Sequence, residues 1–143
     1  MSNEISMEIK FSNTDDVIEI LKRFKKSGWN ICDSKGRISY LPIGDNDDYN
    51  WQDIYLSDED FYNIVRIKQQ NEEVIGIILF WKDNKTGITL LFINKDSIIV
   101  SFSINQRKID MNDSRSMTDV NWYIDHIANQ VEGISYYKIE GLI

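Results

Sequence analysis

The sequence predicts an α+β fold: a single domain over residues 1–143, with a mostly antiparallel sheet of about five to seven strands and about three helices packed on it. Three observations predict it. The chain has 143 residues and a mass of 16.8 kDa, which fits one ordinary domain. Segments of apolar period two alternate with segments of helical period. Three consecutive apolar runs are joined by turns so short that their strands must be antiparallel neighbours.

Ile5, Met7, Ile9 and Phe11 alternate with polar residues and read as a half-buried first strand. Asn13 or Thr14 then offers an N-cap, with Asp15 and Asp16 suited to the positive end of a helix. Val17, Ile18, Ile20, Leu21 and Phe24 supply its apolar stripe, Lys22 to Lys26 load its last turns with cations, and Gly28 ends it. Trp29 to Cys32 and Arg37 to Leu41 read as two short strands around the turn Asp33-Ser34-Lys35-Gly36. A polar stretch runs from Gly44 to Asp53. Ser57 and Asp60 form a capping-box variant opening a second helix that runs to about Gln70. Phe61, Ile64, Val65 and Lys68 share one face of it, with the Lys68 stem laid on the core edge.

The three apolar runs are Glu73 to Lys82, Thr86 to Ile93 and Ser97 to Ile104, with turns at Asp83-Asn84-Lys85 and Asn94-Lys95-Asp96. The first two are apolar at nearly every position, which predicts burial on both faces. A polar stretch, Asn105 to Ser116, leads to Thr118 as the N-cap of a third helix. Val120, Tyr123, Ile124, Ile127 and Val131 form its stripe, and Gly133 ends it before a last strand, Ile134 to Ile139.

Composition excludes several function classes. With 16 Lys and Arg against 23 Asp and Glu, the formal charge is −7, the wrong sign for a duplex-binding or membrane-surface protein. The longest apolar run, Val74 to Trp81, is far below the roughly 20 residues needed to span a bilayer. Met1-Ser2-Asn3-Glu4 begins no secretory leader, so a cytoplasmic protein is expected. One cysteine, Cys32, excludes a disulfide framework and Cys-pair metal sites, and one histidine, His126, excludes chemistry that needs two imidazoles. His126 reads as a partly exposed helix-face residue and Cys32 as a structural thiol. The seven glycines do not cluster into a phosphate loop, and Gly76 reads as a point of close packing or a bulge. The run from Asp45 resembles a calcium loop only superficially. Its sixth position is Asn50 in place of Gly, and its twelfth is Leu56 in place of Glu. No catalytic residue, cofactor or metal is assigned.

Charge is concentrated instead. Between Gly44 and Asp60 lie seven acids (Asp45, Asp47, Asp48, Asp53, Asp58, Glu59 and Asp60) and no base, while elsewhere 16 acids balance 16 bases. Asp58, Glu59 and Asp60 open a helix and need no further cause. Asp45, Asp47, Asp48 and Asp53 are interleaved with Tyr49, Trp51 and Tyr55. A solvated loop accounts for such a segment. A surface for a cationic partner accounts also for the concentration of charge, with the aspartates steering encounter and the rings as anchors.

In size, acidity, α+β layout and want of a catalytic set, the chain resembles the small cytosolic immunity proteins of bacterial toxin systems, including contact-dependent growth inhibition. The resemblance spans the chain loosely and rests on no signature motif. It implies a non-enzymatic inhibitor that occludes the basic active-site surface of a cognate toxin domain, often a nuclease, without itself binding nucleic acid or membrane. Asp45, Asp47, Asp48, Tyr49, Trp51, Asp53 and Tyr55 are the expected contact residues. A second reading is a small enzyme or ligand-binding domain with a pocket between sheet and helices, which a cavity near Cys32 or His126 would favour. A third, a nucleic-acid mimic, needs acid spread over a longer surface.

Overall fold

Alternating apolar residues build the sheet and helical stripes cover it. The computed structural model describes residues 5–94, 97–110 and 116–141. Met1 to Glu4, Lys95 and Asp96 of the expected third turn, and residues 111–115 lie outside the described residues. In chain order the elements are β1 (Ile5–Phe11), α1 (Val17–Lys26), β2 (Trp29–Asn30), β3 (Arg37–Tyr40), β4 (Gln52–Tyr55) and α2 (Asp58–Gln70). They continue with β5 (Ile75–Trp81), β6 (Gly87–Asn94), β7 (Ser97–Ile104), β8 (Lys108–Asp110) and β9 (Ser116–Thr118). Then come α3 (Val120–Tyr123), a π-helical turn (Ile124–Ala128) and β10 (Ile134–Gly141).

The main sheet runs β10-β1-β7-β6-β5-β3-β4, with β2 also paired to β5, and every ladder is antiparallel. Register carries a single row of buried side chains across five strands: Met7 opposite Val100, Val100 opposite Leu90, Leu90 opposite Ile77, and Ile77 opposite Tyr40. Ile9, Ile98, Phe92 and Ile75 form the next row. Val17, Ile18, Ile20, Leu21 and Phe24 of α1 and Phe61 and Val65 of α2 join the same buried cluster. Each fully buried aliphatic side chain there contributes roughly 1.5–3 kcal/mol. No helix among the described residues is long and apolar enough to cross a membrane.

The α+β class, the helices and the antiparallel meander agree with the sequence, but the strand count does not. Eight strands in one sheet and two in the β8–β9 ribbon exceed the expected five to seven. The extra strands lie in polar stretches. β4 has all four side chains exposed, so nothing in its sequence shows a buried face, and it is held by backbone pairing to β3. Burial of β5 and β6 on both faces also fails: Ile78, Phe80 and Leu91, on the side opposite the buried rows, are only half-buried.

Two caps move. Asp16, in place of Asn13 or Thr14, caps α1 by accepting from the Ile18 N–H at 3.1 Å. Asp119, in place of Thr118, caps α3 through the Trp122 N–H at 3.2 Å, and Thr118 ends β9 as a buried residue. The third helix is correspondingly short, one α turn followed by the π turn, and Val131 is buried beyond it.

Gly76 marks close packing. A Cβ there would lie 2.8 Å from Leu41 Cδ1 and 2.9 Å from Trp51 Cη2. Gly76→Ala is therefore expected to destabilise the protein by about 1–3 kcal/mol in urea denaturation. Unchanged stability would show that the Trp51 ring does not rest on this strand.

Candidate functional site

The acidic segment leaves β3 at Leu41, whose N–H donates to the Gly76 carbonyl at 3.1 Å. One side chain from α2 sets the path of the loop beyond it. Lys68 shares a stripe with Phe61 and Val65, a spacing that turns it toward the core, and it is 1% exposed. Its ammonium donates to the Pro42 carbonyl at 2.6 Å and to the Asp45 carbonyl at 2.9 Å, and it lies 3.3 Å from Glu73 Oε1. The stem does not merely lie along the core edge. The charge itself is inside.

The partners of Lys68 tie the segment to the start of β5. Glu73 Oε1 also accepts from the Gly44 N–H at 2.7 Å, and Asn46 Oδ1 accepts from the Val74 N–H at 2.8 Å. Burial of the Glu73 carboxyl opposes its ionisation, but the Gly44 N–H and the Lys68 ammonium outweigh it and hold its pKa below the ordinary glutamate value. Asp45 then organises the tip. Its Oδ1 accepts from the N–H groups of Asp48 and Tyr49 at 3.1 and 3.0 Å, and its Oδ2 from Asn50 at 2.7 Å.

The seven expected contact residues thus separate by position. Asp45 is 5% exposed with its carboxylate turned onto the loop's own backbone, so its part is to build the loop. For the same reason that carboxylate is not presented to a cation. Asp47 and Asp48 are exposed, and their carboxylates make no hydrogen bond or ion pair among the described residues. Tyr49 is 45% exposed at a backbone φ of 55°, a left-handed conformation imposed by the Asp45 clamp. Trp51 is half-buried with its ring tip over Gly76. Asp53 is exposed; it accepts from Ser39 Oγ at 3.1 Å and lies 3.6 Å from Arg37 Nη1. Tyr55, at the end of the edge strand β4, is 70% exposed.

Sequence reasoning missed Glu73 and Asn46, which carry no local signal, and the exposed Ile43 and Ile54 that adjoin the acids. Lys68 had a signal, a lysine within an apolar stripe, but the stripe gives no indication of what the ammonium meets.

The other candidates are built into the packing. His126 Nδ1 lies 2.6 Å from the Trp122 carbonyl, which can only accept, so Nδ1 carries the hydrogen. The ring stacks on Trp122 with centroids 4.2 Å apart and meets Trp81 edge-on at 4.9 Å. Trp29 Nε1 donates to the His126 carbonyl at 3.0 Å, and the Arg107 guanidinium covers Trp122 at 4.5 Å while pairing with Asp83. Cys32 is half-buried against the core. Among the described residues no three His, Cys, Asp or Glu side chains gather as a metal-holding group.

Two outcomes test the clamp. Lys68→Met keeps the apolar stem but removes the donor of the Asp45 carbonyl, one of the two donors of the Pro42 carbonyl and the counter-charge of Glu73, and is expected to cost roughly 3–5 kcal/mol in urea denaturation; a cost below about 1 kcal/mol would contradict the assignment. Because the folded-state pKa of Glu73 is depressed, its stabilisation is present above the ordinary glutamate pKa and is lost as pH falls through the lower folded value. The stability gap between the native protein and Glu73→Gln should therefore be widest near neutral pH and narrow in acid. A gap independent of pH would exclude an ionised Glu73.

No family model matches the chain, and no curated protein or solved structure matches it either.

Proposed function

We propose that this chain is a cytoplasmic immunity protein that binds a cognate toxin domain, a nuclease with a basic active-site cleft, and blocks it by occlusion. The observation that carries the reading is a loop tied down by its own hydrogen bonds that presents Asp47 and Asp48 with no pairing group among the described residues. Asp47 and Asp48 repel each other in a short exposed turn, and a cationic surface would relieve that repulsion. Asp53 adds a third carboxylate whose surface pairing with Arg37 is too weak and too solvated to neutralise it.

Tyr49 and Tyr55 supply anchors, with Ile43 and Ile54 as apolar contacts beside them. Rings with few torsions lose little entropy on docking, and the clamp holds the loop in shape before the partner arrives. Both effects favour binding without any chemical step. Asp45 and Trp51 act from beneath, one by folding the loop and the other by resting it on the sheet. Asp47, Asp48 and Asp53 would raise the encounter rate and occupy the sites where the toxin's basic residues hold phosphate. The acid is local, so a protein cleft suits it better than the long surface a nucleic-acid mimic needs.

The probe is a nuclease toxin domain sought in the gene adjoining this one, titrated calorimetrically and co-expressed. The triple variant Asp47→Asn, Asp48→Asn, Asp53→Asn is expected to weaken binding by about 2–3 kcal/mol, close to a hundredfold, and to flatten its salt dependence. Tyr55→Ala is expected to cost about 2 kcal/mol. Unchanged affinity and salt dependence in the triple variant would reject this surface, and failure of the native protein to bind or to rescue growth would reject the function.

A further inference from the structure

A cavity of about 560 Å³ lies between the start of α1, the end of α2 and the sheet. Its volume falls within the range of small-molecule sites, roughly 300–1,000 Å³. Ile9, Val17, Ile20, Ile75, Phe92 and Ile98 line its floor, all buried side chains contributed by β1, α1, β5, β6 and β7. A floor assembled from five elements is a fixed feature of the fold.

The mouth carries the opposite character. Asp15, at the start of α1, and Glu72, just past the end of α2, both line it and are exposed. Neither carboxylate makes an ion pair or hydrogen bond among the described residues. Glu73 also lines the cavity, but its Oε1 is engaged by Lys68 and Gly44. Among the described residues Lys10 is the one base in the lining, and its ammonium is turned away, 5.2 Å over the ring of Tyr136 on β10. The mouth is therefore, among the described residues, anionic over an apolar floor. Glu72 also occupies a left-handed position, φ 56°, immediately after the helix, where glycine is the favoured residue.

We propose that this cavity binds a small cationic amphiphile, a molecule with an apolar body that fills the floor and an ammonium group held between Asp15 and Glu72. Anionic amphiphiles of the same body are disfavoured by the same two carboxylates, and a neutral mouth would not discriminate. The cavity shares Glu73 with the clamp of the acidic loop, but none of the proposed toxin-contact side chains lines it, and the proposal does not depend on that contact.

The test uses two fluorescent probes with one body and opposite heads: dansylcadaverine, an amine, and dansyl-ε-aminocaproate, an acid. The native protein is expected to bind the amine saturably, one to one, and at least tenfold tighter than the acid. Asp15→Asn with Glu72→Gln is expected to abolish that preference. Ile93→Trp, at an exposed position on the mouth, should weaken both probes without disturbing the core. Glu72→Gly relieves the left-handed strain, so it should raise the melting temperature while reducing the preference for the amine. Absence of saturable binding by the amine, equal affinity for both probes, or a preference that survives the double substitution would overturn the proposal.

Discussion

The ammonium of Lys68, fully buried at the end of α2, is the constraint on which the rest of this surface depends. Taking a cation out of water is unfavourable by several kcal/mol unless acceptors surround it. Here three acceptors do: the carbonyls of Pro42 and Asp45 and the carboxylate of Glu73. Two of the three belong to the loop, so the loop must close over α2 for the lysine to be tolerated. The dependence is mutual, because without the lysine the Asp45 carbonyl loses its donor, the Pro42 carbonyl keeps only the Asp45 N–H, and Glu73 keeps its N–H donors from Gly44 and Asn71 but loses its counter-charge. A buried polar network of this kind is costly when only partly satisfied, so the loop and the lysine support each other.

That closure explains the layout above it. Asp45 is fixed by its own carbonyl, and its carboxylate gathers three consecutive N–H groups. Asp47 and Asp48 are left with no route inward, and Tyr49 is held in a left-handed turn with its ring in solvent. The chain then drops Trp51 onto Gly76 and enters β4, the last strand of the sheet, from which Tyr55 projects. Core packing and surface charge are thus joined through one helix residue. If the loop docks as proposed, the core's contribution to binding is to remove the entropy a free acidic loop would lose on docking.

The sequence disclosed what repeated patterns can disclose. β1, α1, α2 and the meander were legible because their buried residues recur at two or at 3.6 positions, and the register row from Met7 to Tyr40 follows from that alternation. β4 and the β8–β9 ribbon were not legible, since backbone pairing holds β4 and no buried period marks it. The concentration of acid between Gly44 and Asp60 was also legible, from charge counting alone. The interior of that segment was not. Counting gives Asp45 the same weight as Asp47, whereas the fold spends one carboxylate on backbone and leaves the other in solvent. Glu73 and Asn46 were invisible because the groups they hold, Gly44 and Val74, lie 29 and 28 residues away in sequence and meet them only through the sheet.

Amide hydrogen exchange tests the central claim most directly. If Lys68 holds the loop closed, the amides of Gly44, Asp48, Tyr49 and Asn50 exchange slowly in the native protein, like buried hydrogen bonds. In Lys68→Met they should lose that protection while the β5–β6 amides keep measurable protection. Loop amides that already exchange at the rate of an unstructured chain, or whose protection survives the substitution, would contradict the account.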